Sequence, residues 1–486
     1  MLRRLKSIIQ YTHMSSIICS DTGLEDLVNI IDEIQPGAVI TESEREDLIE
    51  SAMVLLDDYM RDNPLSFSEP THHSDMCDEV LVLLMAQISG TPYENEVGIE
   101  DELEVIIRQA VKTIYMVVAP RRSFRRTFIR KNPDVESITT KLTKLRNTYQ
   151  PEQRTGPWYE YRYNLLSASN AFKCFGSESM QNQLIYEKCK PMNLDKYLTV
   201  NTEGALHHGQ KYEPLSVMLY ESEHDTKVED FGCIKHDKYG FIGASPDGIN
   251  VSPDSPRYGR MLEIKNIVNR EITGIPKLEY WVQMQLQMET CNLNECDFLE
   301  TRFIEYESFN EFQTDGTFGL TADGKQKGVI LFFMVDGQPK YHYMPIGFTY
   351  EQFVEWETTI VESHTDDTWM KNIYWRLDQL SCVLVLRNRL WFSEAMFHME
   401  EIWQKVLDGR KNGFEQYAPK KTKTAKNIII QPQQVKTCLI DSQTLNVNAG
   451  IESNDSVPLT IDTSSDSLSK EQYLSDLLNL DSKHSS

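Results

Sequence analysis

The spacing of apolar residues predicts helices at the start of the chain. In residues 24–34 and 42–60, apolar side chains recur at intervals of three and four positions, which places them on one face of a helix. From about residue 151 to 350, helix-like stretches alternate with short β-rich runs such as YGFIGA, MLEIKNIV and GVILFFMV. This pattern predicts an α/β (α+β) unit in the middle of the chain.

The second half of the sequence changes character twice. Residues 351–417 return to helical spacing and are rich in Trp and Leu, which predicts a helical extension. From residue 418 polar residues dominate, which predicts a disordered tail with at most one short helix near YLSDLLNL. Because 486 residues exceed one ordinary core, we expect several units: an acidic helical unit (1–120), a basic connector (121–150), the α/β core (151–350), the helical extension (351–417) and the tail (418–486).

Charge is distributed unevenly along the chain. The formal net charge is −24, and a uniformly acidic surface would repel nucleic acid. However, residues 1–120 hold 23 acidic and seven basic side chains, whereas residues 121–146 hold nine basic and two acidic ones. The segment RRSFRRTFIRK at 121–131 is therefore either a solvated connector or a contact for the DNA backbone.

Several classes of protein are excluded by composition. No run of about eighteen uncharged apolar residues is present, so a membrane protein is not expected. Nine cysteines without a CxxC pair argue against a disulfide framework and favour a reducing, intracellular compartment. The adjacent His207 and His208 cannot share one helical face, so we expect packing or exposure rather than zinc binding.

The candidate chemistry lies in two short motifs, SPDG at 245–248 and EIK at 263–265. Strand alternation puts Glu263 and Lys265 on one side of a sheet and buries Ile264 on the other. The Pro-Asp-Gly turn can bring Asp247 beside them through a hairpin. Carboxylates of Asp247 and Glu263, with the backbone carbonyl of Ile264, are oxygen ligands of the kind Mg²⁺ takes. The ammonium of Lys265 could orient an attacking water.

These motifs resemble those of the PD-(D/E)xK nuclease superfamily, and within it the YqaJ-type viral recombinase nucleases related to phage lambda exonuclease. The resemblance spans roughly residues 155–305. It implies a restriction-endonuclease-like core with a mixed central sheet flanked by helices, to which helical additions are joined at both ends.

The resemblance also assigns residues outside the two motifs. Glu213, within HGQKYEPL, matches an additional acidic residue that would bind metal. Gln283 matches the active-site glutamine, although Gln287 lies one helical turn later on the same face and either could reach the site. Arg162 and Ser169 match the residues that hold a terminal 5′-phosphate. The catalytic set implied is Glu213, Asp247, Glu263, Lys265 and Gln283.

The implied activity is a metal-dependent deoxyribonuclease, a 5′-to-3′ exonuclease on double-stranded DNA ends that acts in viral DNA recombination, repair or replication. It would use two Mg²⁺ ions, with Mn²⁺ as a substitute. The resemblance leaves open a single-strand annealing protein as partner and a homo-oligomeric state. The large additions suggest a large DNA virus, which would place the protein in the host cytoplasm or the virion.

Other activities remain open at this stage. One is an endonuclease of the same fold. A Cas4-like enzyme would need clustered cysteines for an iron–sulfur centre, and Cys174, Cys189, Cys291 and Cys296 lack that close grouping. The last is a DNA-binding scaffold or an enzyme that the acidic front keeps masked.

Overall fold

The computed structural model describes residues 40–419 except 95, 154 and 193–203. The predicted helix at 24–34 and the predicted disordered tail therefore lie outside the described residues. Contacts divide the chain into two compact units. The first comprises residues 40–62 and 74–118 of the described chain, and the second comprises 63–73 and 119–419.

The first unit is helical. Its helices are α1 (Glu42–Asp62), α2 (His72–Ile88, whose first two residues belong to the second unit) and α3 (Ile99–Val117). In α3, Leu103, Ile106 and Ala110 are buried at helical spacing. The first turn of α3 is acidic, which stabilises the helix through its dipole. The helix predicted at 42–60 is confirmed as α1.

The second unit combines nine described helices with ten described strands. The helices are α4 (Val135–Asn147), α5 (Gly156–Tyr163), α6 (Ala168–Ala171), α7 (Glu178–Cys189), α8 (Ala205–His224), α9 (Leu278–Cys291), α10 (Phe309–Thr314), α11 (Tyr350–Ser363) and α12 (Arg389–Asn412). The strands are β1 (Leu166–Ser167), β2 (Val228–Glu229), β3 (Ile234–Lys235), β4 (Ile242–Ala244), β5 (Gly248–Asn250), β6 (Met261–Asn266), β7 (Glu295–Glu305), β8 (Lys327–Val335), β9 (Gln338–Tyr343) and β10 (Thr368–Leu386).

Within the described chain the strands form a large sheet and a small one. The large sheet has the order β2-β5-β6-β7-β10-β8-β9, and the small sheet has the order β1-β4-β3. In the large sheet, β6 and β7 are parallel and the other neighbours are antiparallel. The predicted α/β fold with a mixed central sheet is thus confirmed.

One face of β6 packs on α8. Leu262 and Ile264 are buried there against Tyr220 of α8 and Leu299 of β7. A fully buried side chain of this size contributes roughly 1.5–3 kcal/mol to the stability of the fold. Because Leu262 and Ile264 anchor this face, strand alternation directs Glu263 and Lys265 to the opposite face of the sheet.

The prediction of a helical extension over 351–417 is wrong for its middle part. Helices α11 and α12 are present, but the 19 residues of β10 between them form a strand that lies between β7 and β8. The last four residues of β10 are all buried, and a continuous apolar run of this kind does not distinguish a buried strand from a buried helix. The sheet therefore extends well beyond residue 350.

The prediction of a connector over 121–150 is also wrong in part. Arg122 is buried, donates to the carbonyls of Ser68 at 3.0 Å and Pro276 at 2.6 Å, and lies against the ring of Trp281. The backbone N–H groups of Phe124 and Thr127 donate to β10 along the edge that β8 leaves uncovered. This segment is therefore integral to the second unit, and α4 follows it.

None of the helices described here combines the length and the apolar character that a membrane-spanning helix needs.

Candidate active site

The antiparallel pairing of β5 with β6 brings Asp247 beside β6 of the large sheet. Asp247 directly precedes β5, and β5 pairs antiparallel with β6 so that Gly248 lies opposite Leu262. The carboxylate oxygen Oδ2 of Asp247 accepts a hydrogen bond of 2.7 Å from the backbone N–H of Ile264. The side chain of Asp247 therefore joins two segments that are 17 residues apart in sequence.

The strand motif supplies a buried acid and a lysine. Glu263 is fully buried, and its Oε1 forms an ion pair with Nζ of Lys265. The same ammonium lies 5.1 Å from the centre of the Tyr280 ring on α9. The alternation expected from the sequence thus places both charged groups on the face opposite α8.

The fully buried Gln287 on α9 makes a contact with this cluster that the sequence left undecided. Its Nε2 donates to Oε2 of Glu263 at 2.6 Å and to the carbonyl of Ser245 at 3.0 Å. Gln283 lies one turn earlier on α9 and is half-buried. The structure therefore brings Gln287 into direct contact with Glu263, while the role of Gln283 stays a prediction.

The electrostatics of the cluster favour a cation. Burial raises the pKa of Asp247 well above its ordinary value, and the nearby carboxylates of Glu263 and Glu213 raise it further. Burial alone would lower the pKa of Lys265, but Glu263 and Asp247 raise it above the usual lysine value. The half-buried Glu213 on α8 thus acts on Asp247 through its charge.

The donor set fits a magnesium ion that is completed by substrate and water. Among the described residues, no three His, Cys, Asp or Glu side chains converge closely enough to hold a metal by themselves. Mg²⁺ commonly takes only one or two protein carboxylates together with phosphate oxygens and waters. Asp247 and Glu263, which lie close enough for the charge of Glu263 to raise the pKa of Asp247, are two carboxylates of this kind. A cation there would also relieve the repulsion that raises the pKa of Asp247.

The predicted phosphate residues lie together at the start of the small sheet. Nη2 of Arg162, at the end of α5, lies 3.4 Å from Oγ of the exposed Ser169, and its guanidinium lies 4.6 Å from the Trp158 ring. Strand β1 pairs in parallel with β4, with Ser167 opposite Gly243. Both strands therefore end on the same side of the small sheet. Ser169 follows the end of β1, and Asp247 follows the end of β4.

Two charged residues on the face of the sheet that carries Lys265 were missed from the sequence. Glu300 of β7 lies opposite Lys265 in the parallel register and is buried. Its Oε1 accepts a hydrogen bond of 2.5 Å from Arg270, whose guanidinium lies 5.5 Å from the Tyr280 ring. Neither residue stands in a short motif: Glu300 reaches Lys265 through the pairing of β6 with β7, and Arg270 is 30 residues from Glu300 in sequence.

The mixed sheet, with an aspartate just before β5 and a Glu-x-Lys motif on β6, has the features that the resemblance to PD-(D/E)xK nucleases predicts. More specifically, residues 157–294 match the YqaJ-like viral recombinase domain family. This confirms the predicted resemblance for the region that holds Asp247, Glu263 and Lys265.

The chain is also similar to individual proteins. The chain is 27% identical over 322 residues to the uncharacterized protein R354 of Acanthamoeba polyphaga mimivirus, which covers 59% of this chain and 56% of that protein. The chain thus spans just over half the length of this relative. An alkaline exonuclease from Laribacter hongkongensis aligns at 18% identity over 54% of this chain and 97% of its own, with a TM-score of 0.33. A phage-related exonuclease from Haemophilus somnus 129PT aligns at 13% identity over 52% and 96%, with a TM-score of 0.28.

Proposed function

We propose that this protein is a Mg²⁺-dependent deoxyribonuclease that degrades duplex DNA from a 5′-phosphorylated end and leaves a 3′ single strand for recombination. The observation that carries the proposal is the β1–β4 pairing. Because the two strands are parallel, the segments that follow them begin at the same end of the small sheet. One segment carries Ser169, which contacts Arg162, and the other carries Asp247, which lies near Glu263. A phosphate-binding group and a hydrolytic group would thus face the same strand of DNA.

In this proposal Asp247, Glu263 and the carbonyl of Ile264 hold the metal, with Glu213 adding negative charge. The metal supplies activation of water and neutralisation of charge on the phosphate, with one or two ions engaged. Glu263 is already held in place by Gln287 and Lys265, so little reorganisation is needed when the substrate binds.

Lys265 is proposed to orient the attacking water and to offset negative charge that develops on the phosphate. Its raised pKa keeps the side chain protonated at neutral pH, so it supplies hydrogen bonds and positive charge and does not act as a base. Gln287, or Gln283 from the preceding turn, would support the same water.

Arg162 and Ser169 are proposed to hold the terminal phosphate. The guanidinium of Arg162 can bind two phosphate oxygens at once, and the hydroxyl of Ser169 can donate to a third. Stacking on Trp158 restricts the orientation of the guanidinium before DNA arrives. The match of residues 157–294 to a recombinase family supports DNA as the substrate and recombination as the process.

The test is digestion of linear duplex DNA that carries 5′-phosphate or 5′-hydroxyl ends, in Mg²⁺, Mn²⁺ or EDTA. Wild type should release nucleotides faster from the phosphorylated end, and EDTA should stop the reaction. Lys265→Ala should lose activity, whereas Lys227→Ala should keep it, because Lys227 is exposed and forms a surface ion pair with Glu221.

Closed circular DNA separates the alternatives. Cutting of circles at the rate of linear DNA would identify an endonuclease of the same fold. DNA binding without any cleavage would instead favour the scaffold or masked enzyme.

A further inference from the structure

Three cationic side chains from three helices gather behind the proposed phosphate site. They are Arg162 on α5, Lys188 on α7 and Arg410 on α12. Lys188 is only 9% exposed, and its Nζ donates to the carbonyl of Arg162 at 2.7 Å. Burial lowers the pKa of Lys188 to about 7, and the charges of Arg162 and Arg410 contribute to this shift. Crowded cations of this kind are stabilised by a bound anion.

Arg410 joins the ends of two helices. Its Nη2 donates to the carbonyl of Tyr163 at 2.7 Å, its Nη1 to Oδ1 of Asn164 at 3.1 Å, and its Nε to the carbonyl of Lys188 at 2.9 Å. The guanidinium also lies 4.1 Å from the Tyr163 ring. The last carbonyls of a helix lack intrahelical partners, so Arg410 satisfies acceptors at the C-terminal ends of both α5 and α7.

Helix α5 depends on such contacts because it has no buried residue. Apolar packing, which normally fixes a surface helix, is therefore weak here. Polar contacts instead hold the end of α5 that carries Arg162. Lys188 donates to the carbonyl of Arg162, and Arg410 donates to Tyr163 and Asn164, the next two residues.

We propose that Arg410 is a positioning residue for 5′-phosphate recognition, which holds α5 so that Arg162 faces Ser169. This inference rests on the proposed function of Arg162. It makes α12, which lies outside the region matched by the recombinase family, part of the apparatus that selects the DNA end.

Full-length wild type, Arg162→Ala, Arg410→Gln and Arg162→Ala/Arg410→Gln are compared on duplexes with 5′-phosphate and 5′-hydroxyl ends. We expect Arg410→Gln to lower kcat/KM about tenfold for the phosphorylated end and to change it little for the hydroxyl end, since hydrogen bonds from a charged group are lost. The double variant should lose no more preference than Arg162→Ala alone, because both changes act through one contact.

The control variant is Lys405→Gln. Lys405 lies on the same helix, α12, and forms a surface ion pair with Glu401. It should keep the wild-type preference. Amide hydrogen exchange in residues 157–165 should be faster in Arg410→Gln than in this control. A purely structural role would lower the rates on both substrates equally.

Three results would overturn the inference and leave the nuclease proposal intact. The first is that Arg410→Gln lowers kcat/KM equally for both kinds of DNA end, and the second is that the losses of the two single variants multiply in the double variant. The third is that amide hydrogen exchange in α5 is unchanged. If wild type itself shows no preference for the phosphate, the proposed end recognition fails, and the role of Arg410 in it fails too.

Discussion

Two aspartates of the large sheet, one just before β5 and one on β7, have opposite surroundings. Asp297 of β7 lies opposite Leu262 and is fully buried. Its carboxylate accepts hydrogen bonds from four side chains: Thr127 at 2.7 Å, Tyr220 at 2.6 Å, Arg257 at 2.5 Å and Arg260 at 3.3 Å. This aspartate is satisfied by the protein alone.

Asp247 receives one backbone hydrogen bond and faces two further carboxylates. The pKa of Asp247 is raised by burial and by Glu263, which means that its ionised form is disfavoured in the free protein. A bound metal ion would stabilise the ionised form of Asp247. Asp297 needs no such ion, because four side chains already donate hydrogen bonds to its carboxylate. The two acids differ in the number of hydrogen-bond donors around them rather than in burial, and this difference makes Asp247 the candidate metal ligand.

The largest expected effect is on catalysis by Asp247→Asn. Asparagine can still accept the hydrogen bond from Ile264 but lacks the charge needed for a divalent cation, so nucleotide release from linear duplex should fall by about a thousandfold. Circular dichroism should show an unchanged fold. Cleavage that persists in purified Asp247→Asn/Lys265→Ala protein would contradict the assignment of both residues.

The matching change on the other strand, Asp297→Asn, should act on stability. Loss of this charge leaves Arg257 and Arg260 buried without full compensation, and breaking such a pair costs about 3–5 kcal/mol. Thermal unfolding should therefore occur at least several degrees lower. As a control, Glu229→Gln removes an exposed pair with Arg146 and should change the free energy of unfolding by less than about 1 kcal/mol. An equally stable Asp297→Asn protein would remove the basis of the comparison.

A smaller effect is expected for the glutamines of α9. Gln287→Ala removes the donor that orients Glu263, and loss of such a supporting contact typically lowers metal affinity or activity about 10–100-fold. Gln283→Ala is the matched change one turn away. Titration of activity with Mg²⁺ should show the larger shift for Gln287→Ala, and the reverse order would support the assignment of Gln283 that the family resemblance implies.

The choice between these glutamines shows where sequence patterns stop being informative. Strand alternation alone placed Glu263 and Lys265 together, and the SPDG turn located Asp247, because both depend on neighbours within a few residues. Which residue on one face of α9 reaches Glu263 depends instead on where the whole helix lies along the sheet. Gln283 and Gln287 share a face, so their spacing could not decide between them.

Long-range pairing accounts for the other differences. Strand β10 was predicted as helix because its apolar run fits either period, and its identity is set by pairing with β7 and β8. Likewise, Thr127 contacts Asp297 across 170 residues of sequence, so the basic segment 121–131 could not be recognised as part of the core. Arg410 reaches Tyr163 across 247 residues in the same way.

The smallest expected effect is on the stability of the metal-free protein, where Asp247→Asn should be stabilising. Since the folded-state pKa of Asp247 is raised, the unfolded chain ionises first as pH rises, and stability is lost between the ordinary aspartate pKa near 4 and the higher folded value. The amide avoids this loss, so its gain should be small at pH 4 and larger at pH 8. We expect about 1 kcal/mol at pH 8, equivalent to roughly 1–2 °C in Tm for a unit of about 300 residues. Differential scanning calorimetry in EDTA measures both values. A gain that is independent of pH would mean that the Asp247 carboxylate is not destabilised by its neighbours, and the contrast with Asp297 would then lack an electrostatic origin.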